Sequence, residues 1–120
     1  MASDRRFIAR ICLDFDGVLT TGGRWLGPEV CDGVPTDGMV EWVNAASEFY
    51  QIAVFSCRSE TAAGRATMRA WLAEQGVDVE RLEFPEHKPP ALAYVDDRGY
   101  RFEGRFPAPT FLTALRPWGR

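Results

Sequence analysis

Two aspartates one residue apart are the first groups in this chain able to do chemistry. Asp14 and Asp16 stand in the run DFDGVLT, Asp14 to Thr20, directly after the mainly apolar stretch Phe7 to Leu13. A carboxylate ending a buried strand is costly unless it binds a cation or receives hydrogen bonds. In an extended backbone alternate side chains share a side, so Asp14 and Asp16 face one general direction and Phe15 another. Gly17 lets the chain turn sharply beside a ligand. On these residues alone the run is open to three readings: an acidic strand end with a turn, a simple metal site, or a catalytic carboxylate pair.

Other polar groups follow apolar runs in the same way. Ser56 and Arg58 come just after Gln51 to Phe55, and Asp96 and Asp97 come just after Ala91 to Val95. Lys88 is the only lysine; it precedes a double proline and lies eight residues before Asp96. The Ser56 hydroxyl can donate to a phosphoryl oxygen or cap the turn that follows it. Arg58 and Arg98 are candidate phosphate contacts because a guanidinium grips oxyanions bidentately. Arg58 is the better placed, whereas Arg98 can also pair with Glu103 or face water. Trp25 lies in an irregular segment, where its ring either covers a substrate or packs on the body of the protein. Trp42 and Trp71 read as core or interface aromatics, and His87 as a turn or surface residue. Cys12, Cys31 and Cys57 form no disulfide framework or zinc spacing, and an odd count fits free thiols in a reducing cytoplasm. Cys57 adjoins Ser56, but the sole histidine, His87, is too far along the chain to be assigned as its base.

The elements that must position these groups alternate between strand and helix. Strands are expected at Phe7 to Leu13, Gln51 to Phe55, within Val77 to Phe84 as an edge, and at Ala91 to Val95; Tyr100 to Glu103 could add another. A helix starts near Asp37, capped by Thr36 or Asp37, with Met39, Val40 and Val43 on one side. A second runs from Ser59 or Thr61 to about Gln75, burying Ala63, Met68, Trp71 and Leu72 and stopping at Gly76. Pro90 suits the first turn of a short helix, and another short helix is expected around Phe111 to Leu115. Residues Gly17 to Thr36 hold no sustained period and read as a hairpin or short flap. The pattern predicts an α/β fold with a mostly parallel sheet and helices on both faces. Ligand sites in such folds lie beyond the C-terminal strand ends, where Asp14, Ser56 and Asp96 all fall.

A chain of 120 residues supports one sizeable core, so residues 1–120 are read as a single compact domain. Its 46% hydrophobic and 26% charged residues suit a folded soluble protein. Seventeen acidic against 14 basic side chains give a net charge of -3, which gives no reason to expect non-specific DNA binding and leaves room only for a local basic patch. The start of the chain lacks the apolar core of a secretory signal, and no stretch is long enough to span a bilayer. A cytoplasmic protein with no membrane partner is the resulting expectation.

Taken together, these motifs resemble the haloacid-dehalogenase-like (HAD) phosphatase superfamily in its small, cap-poor form. DFDGVLT is similar to the nucleophile motif, IAVFS to the second motif with its phosphate-binding hydroxyl, Lys88 in HKPP to the basic third, and YVDD to the acidic fourth. SCRS, KPPALAYVDDR and RFEG are similar to small phosphatase-like proteins of bacteria and their phages. The resemblance covers roughly Ile11 to Gly104. It implies a three-layer Rossmann-like fold without a large cap domain. It also implies catalysis by Asp14 as nucleophile and Asp16 as acid and base, with Ser56 and Lys88 on the phosphate and Arg58 and Trp25 as further substrate contacts. Mg2+ would be held by Asp14, Asp96 and the backbone carbonyl of Asp16, with Asp97 a direct ligand, a ligand through water, or a group orienting Lys88. The expected activity is hydrolysis of a phosphate monoester, on a phosphorylated small molecule or a phosphate exposed on a larger substrate. A nucleic-acid end phosphatase and a non-catalytic phosphate- or magnesium-binding module are the alternatives, and an oligomer is compatible with all three.

Overall fold

A computed structural model describes residues 9–115. Its centre is a four-stranded, all-parallel sheet in the order β5-β4-β1-β6. The strands are β1 (Arg10–Leu13), β4 (Gln51–Val54), β5 (Leu82–Glu83) and β6 (Ala93–Val95). Strands β2 (Thr20–Thr21) and β3 (Val34–Pro35) form a separate antiparallel hairpin. The two α-helices are α1 (Met39–Ala46) and α2 (Ala62–Gln75). This is a mixed α/β chain with a parallel sheet, as the alternation of apolar runs predicts.

Register explains the core. Ile11, Ile52 and Leu82 pair across β1, β4 and β5, and Leu13 pairs with Val54. Because side chains alternate, these five share one face. They join Met39, Val43 and Ala46 of α1 and Met68, Trp71 and Leu72 of α2 in a single apolar cluster. The chain steps from β1 to β4 to β5 in one direction, so right-handed crossovers put both helices on that same face.

The helical layer expected on the other face is therefore not made by α1 or α2. The chain returns from β5 to β6 through residues 84–92, which hold no helix, so the short helix expected at Pro90 does not form. This stretch is tied down by polar contacts: Arg10 Nη1 donates to the Pro90 carbonyl at 3.3 Å, and Tyr94 Oη to that of Pro89 at 2.7 Å. Two consecutive prolines remove the backbone donors that a short helix would need. On the sheet face opposite the apolar cluster Cys12 pairs with Ala53, both small and buried.

Helix ends are set locally. Thr61 Oγ1 caps α2 by accepting from Gly64 N at 3.0 Å, and Gly76 ends it in a left-handed conformation. The start of α1 differs from expectation: neither Thr36 nor Asp37 caps it, and Gly38 stands at the N-cap with no side-chain bond. Tyr100 to Glu103 is not a strand, and the expected helix near Phe111 is a 3-10 helix, Pro109–Ala114. Phe7 and Ile8, expected to begin β1, lie outside the described residues. Among the described residues no helix is long and apolar enough to cross a membrane.

Gly64 is the tightest point between α2 and the turn before it. A Cβ added there would collide with the backbone carbonyl of Arg58. Gly64→Ala gains about 1 kcal/mol of helix propensity, yet backbone displacement from overpacking costs about 1–3 kcal/mol. We expect a lower urea midpoint for G64A than for wild type; an equal or higher midpoint would show that the approach is slack.

Candidate active site

Parallel pairing brings the polar strand ends to one edge of the sheet. Asp14 follows β1 and Asp96 follows β6, its direct neighbour; Asp14 N donates to the Val95 carbonyl at 2.9 Å. Ser56 lies two residues beyond β4, on the other side of β1. A cleft of about 350 Å³ opens at this edge, and Asp14, Ser56, Cys57, Lys88, Asp96 and Arg98 line it. Four expected site residues, separated widely in sequence, thus share one cavity: Asp14, Ser56, Lys88 and Asp96.

Asp14 is the electrostatic centre of the cleft. Burial, and after it the charges of Asp97, Asp16 and Asp96, push its carboxyl up to about 6 against a hydrogen bond from the Phe15 backbone that lowers it. Phe15 N donates to Asp14 Oδ1 at 2.8 Å, which fixes the carboxylate plane. Four carboxylates therefore act on one spot, and a cation there would relieve their repulsion. Asp97 is half-buried and does not line the cleft. Asp96 Oδ1 is turned into its own loop and accepts from the backbone N–H groups of Arg98 and Gly99.

Ser56 performs the capping role as well as lining the cleft. Its hydroxyl accepts from Arg58 N at 3.0 Å, while Ser59 Oγ accepts from Ser56 N at 3.0 Å. This reciprocal box holds the 3-10 turn Cys57–Glu60. The Ser56 hydroxyl also lies 3.4 Å from Met68 Sδ. Lys88 Nζ sits 4.5 Å from the centre of the Tyr94 ring, a cation–π contact that parks the ammonium at the wall of the cleft. Desolvation and the Asp16 charge push the Cys57 thiol up, with Arg58 opposing them, so the thiolate needed for attack is disfavoured.

Asp16, Arg58 and Trp25 do not line the cleft; they form a second cluster under the hairpin loop. Arg58 is 1% exposed and Asp16 9%. Arg58 Nε donates to Asp16 Oδ2 and Nη2 to Asp16 Oδ1, both at 2.9 Å. Nη1 reaches the carbonyls of Gly27 at 3.4 Å, Pro28 at 3.0 Å and Val30 at 2.8 Å. The guanidinium lies between rings, 5.3 Å from Phe15 and 5.0 Å from Trp25. Burial lowers its pKa, but the hydrogen bond and charge of Asp16 outweigh that and hold it above the ordinary value. In place of the expected phosphate contact, Arg58 is enclosed by protein. Trp25 stacks on Arg58 and keeps 48% of its surface exposed.

Gly17 adopts φ 87°, turning the chain just after Asp16 into the hairpin. The flap expected over Gly17 to Thr36 is thus the β2–β3 hairpin with its loop 22–33, folded down onto Arg58. Ser59, one of the two expected starts of the second helix, is instead a fully buried hydroxyl that completes the Ser56 cap, while Thr61 caps α2; the S-x-x-S spacing is the local signal of that box. His87 is exposed and lines a smaller neighbouring cleft with Glu86. Among the described residues no three His, Cys, Asp or Glu side chains are grouped to hold a metal ion. Asp14 and Asp96 are the two cleft carboxylates, and both oxygens of Asp16 are engaged by Arg58.

Fold and site together define a mixed α/β protein with a carboxylate-centred cleft at the C-terminal edge of a parallel sheet. Comparison of the chain with protein-family models, curated proteins and solved structures found no match to any of them.

The raised Asp14 pKa has a consequence for stability. Its folded value, about 6, lies above the ordinary 3.8, so the folded state binds the proton more tightly than the unfolded chain. This contribution is complete at and below about pH 4 and is lost as pH rises through about 6. In metal-free buffer, urea midpoints across that window should fall for wild type relative to Asp14→Asn. Parallel profiles for the two proteins would contradict the buried, crowded Asp14.

Proposed function

We propose that this chain is a magnesium-dependent phosphate monoester hydrolase working through phosphorylated Asp14. The observation that carries this reading is the desolvated Asp14 carboxylate sharing one cleft with the Ser56 hydroxyl, the Lys88 ammonium and Asp96. The finer fold reading, a small HAD-like Rossmann domain, belongs to the same proposal and draws on the order of motifs at the strand ends.

Asp14 Oδ1 is held by Phe15 N, which leaves Oδ2 to attack phosphorus. Attack forms the Asp14–phosphorus bond as the bond to the ester oxygen breaks; Asp16, which takes up a proton from solvent once it has left Arg58, gives that proton to the departing oxygen. Asp16 then takes a proton from water as the water oxygen attacks phosphorus, and Asp14 leaves as a carboxylate. Ser56 and Lys88 bind the phosphoryl oxygens and offset charge that builds in the transition state. Asp14 and Asp96, from adjacent strand ends, and the Asp16 backbone carbonyl would hold Mg2+, an ion that favours oxygen ligands and usually retains water. Two side chains and one carbonyl need no triad of acidic side chains. Bound there, the ion would let anionic Asp14 approach an anionic phosphate.

A second reading, an end phosphatase for single-stranded nucleic acid, has its own support. From the cleft wall onward, Arg98, Arg101 and Arg105 alternate with the exposed rings of Tyr100, Phe102 and Phe106. Alternating cations and rings are what phosphates and stacked bases require.

The test is a phosphatase panel with Mg2+, run for wild type, Asp14→Asn and Asp16→Asn. We expect D14N to lose at least about a thousandfold in turnover and D16N to be strongly impaired, with mass analysis locating phosphate on Asp14 of the wild type. Full turnover in D14N would sink the mechanism. Absence of turnover on every substrate would favour a binding module. Faster, salt-sensitive turnover of a phosphorylated oligonucleotide over a nucleotide would select the second reading.

A further inference from the structure

The hairpin loop and the proposed acid/base share one fastener. All the loop's carbonyl contacts to Arg58, from Gly27, Pro28 and Val30, converge on Nη1, while Nε and Nη2 hold the two oxygens of Asp16. Trp25 closes over the guanidinium from the loop side and Phe15 from the core side. The orientation of Arg58 that reaches the carbonyls is set by its fork on Asp16, because a planar guanidinium presents its donors in fixed directions.

We propose that Arg58 is a latch: it positions Asp16 and closes the 22–33 loop in one arrangement, so that the loop opens when Asp16 leaves the fork. In the latched arrangement both Asp16 oxygens accept from Arg58, and Asp16 does not line the cleft. Passing a proton to a leaving oxygen requires Asp16 to give up at least one of those bonds. The loop is then released as Asp16 goes to work, a consequence that rests on the function proposed above. The latch itself does not. Arg58 is a positioning residue, acting through Asp16 and the loop.

The experiment uses the full chain, 15N-labelled, and needs no turnover. In wild type the Arg58 Nε–H resonance should exchange with solvent at least about tenfold more slowly than that of the exposed Arg24. Comparable exchange at the two positions would overturn the latch without any mutation. In Asp16→Asn, amide exchange across 22–33 should rise at least about tenfold while α2 amides keep their protection. Arg58→Lys should free the loop likewise, because an ammonium cannot fork onto two oxygens and also reach the carbonyls. A role limited to filling space or supplying charge would be rescued by lysine. Loop protection equal to wild type in D16N, or in a folded R58K, refutes the proposal; if R58K unfolds throughout, D16N and the wild-type resonance decide. An inactive wild type with a protected, Asp16-dependent loop would defeat the proposed function and leave the latch standing. An active wild type whose loop ignores D16N would do the reverse.

Discussion

The buried ion pair between Arg58 and Asp16 is the constraint on which the site's arrangement depends. A guanidinium and a carboxylate removed from water are costly, and removing one partner of such a pair destabilises by about 3–5 kcal/mol. The structure offsets that cost with a bidentate fork at 2.9 Å, loop carbonyls on the remaining nitrogen, and the rings of Phe15 and Trp25 beside the guanidinium. Several local features follow. The capping box of Ser56 and Ser59 fixes the turn bearing Arg58, Gly64 lets α2 approach that turn's backbone, and Gly17 turns the chain so that the loop can reach back.

This pair also divides the expected site in two. Asp14, Ser56, Lys88 and Asp96 line a cleft, while Asp16 does not line it and is held by Arg58. Alternation predicts that Asp14 and Asp16 share a side in an extended chain. The chain stops being extended at Gly17, and a charged partner forty-two positions away claims Asp16. That fork, rather than alternation, determines which groups Asp16 touches.

Crowding of carboxylates at one sheet edge is the second organising effect. Parallel neighbours deliver their C-terminal ends to the same place, so acidic residues ending β1 and β6 must meet. With partial burial and three other carboxylates acting on it, Asp14 resists ionisation. The arrangement is strained electrostatically until a cation or proton arrives, and such perturbed groups cluster at functional sites.

Short-range physics made much of this legible in the sequence. Apolar runs ending in Asp14, Phe55 and Val95 determined where parallel strands would end and which polar groups would meet there. Thr61 and Gly76 determined the ends of α2, since a cap depends on atoms within a turn or two of the backbone. Tertiary structure alone decided the rest. Where residues 84–92 came to lie depended on the contacts that Arg10 and Tyr94 make with the carbonyls of Pro90 and Pro89. Whether Arg58 met a ligand or Asp16 depended on where the loop 22–33 came to lie. Those outcomes turn on contacts between distant segments, whose energies appear only once the chain has closed upon itself, and no local spacing encodes them.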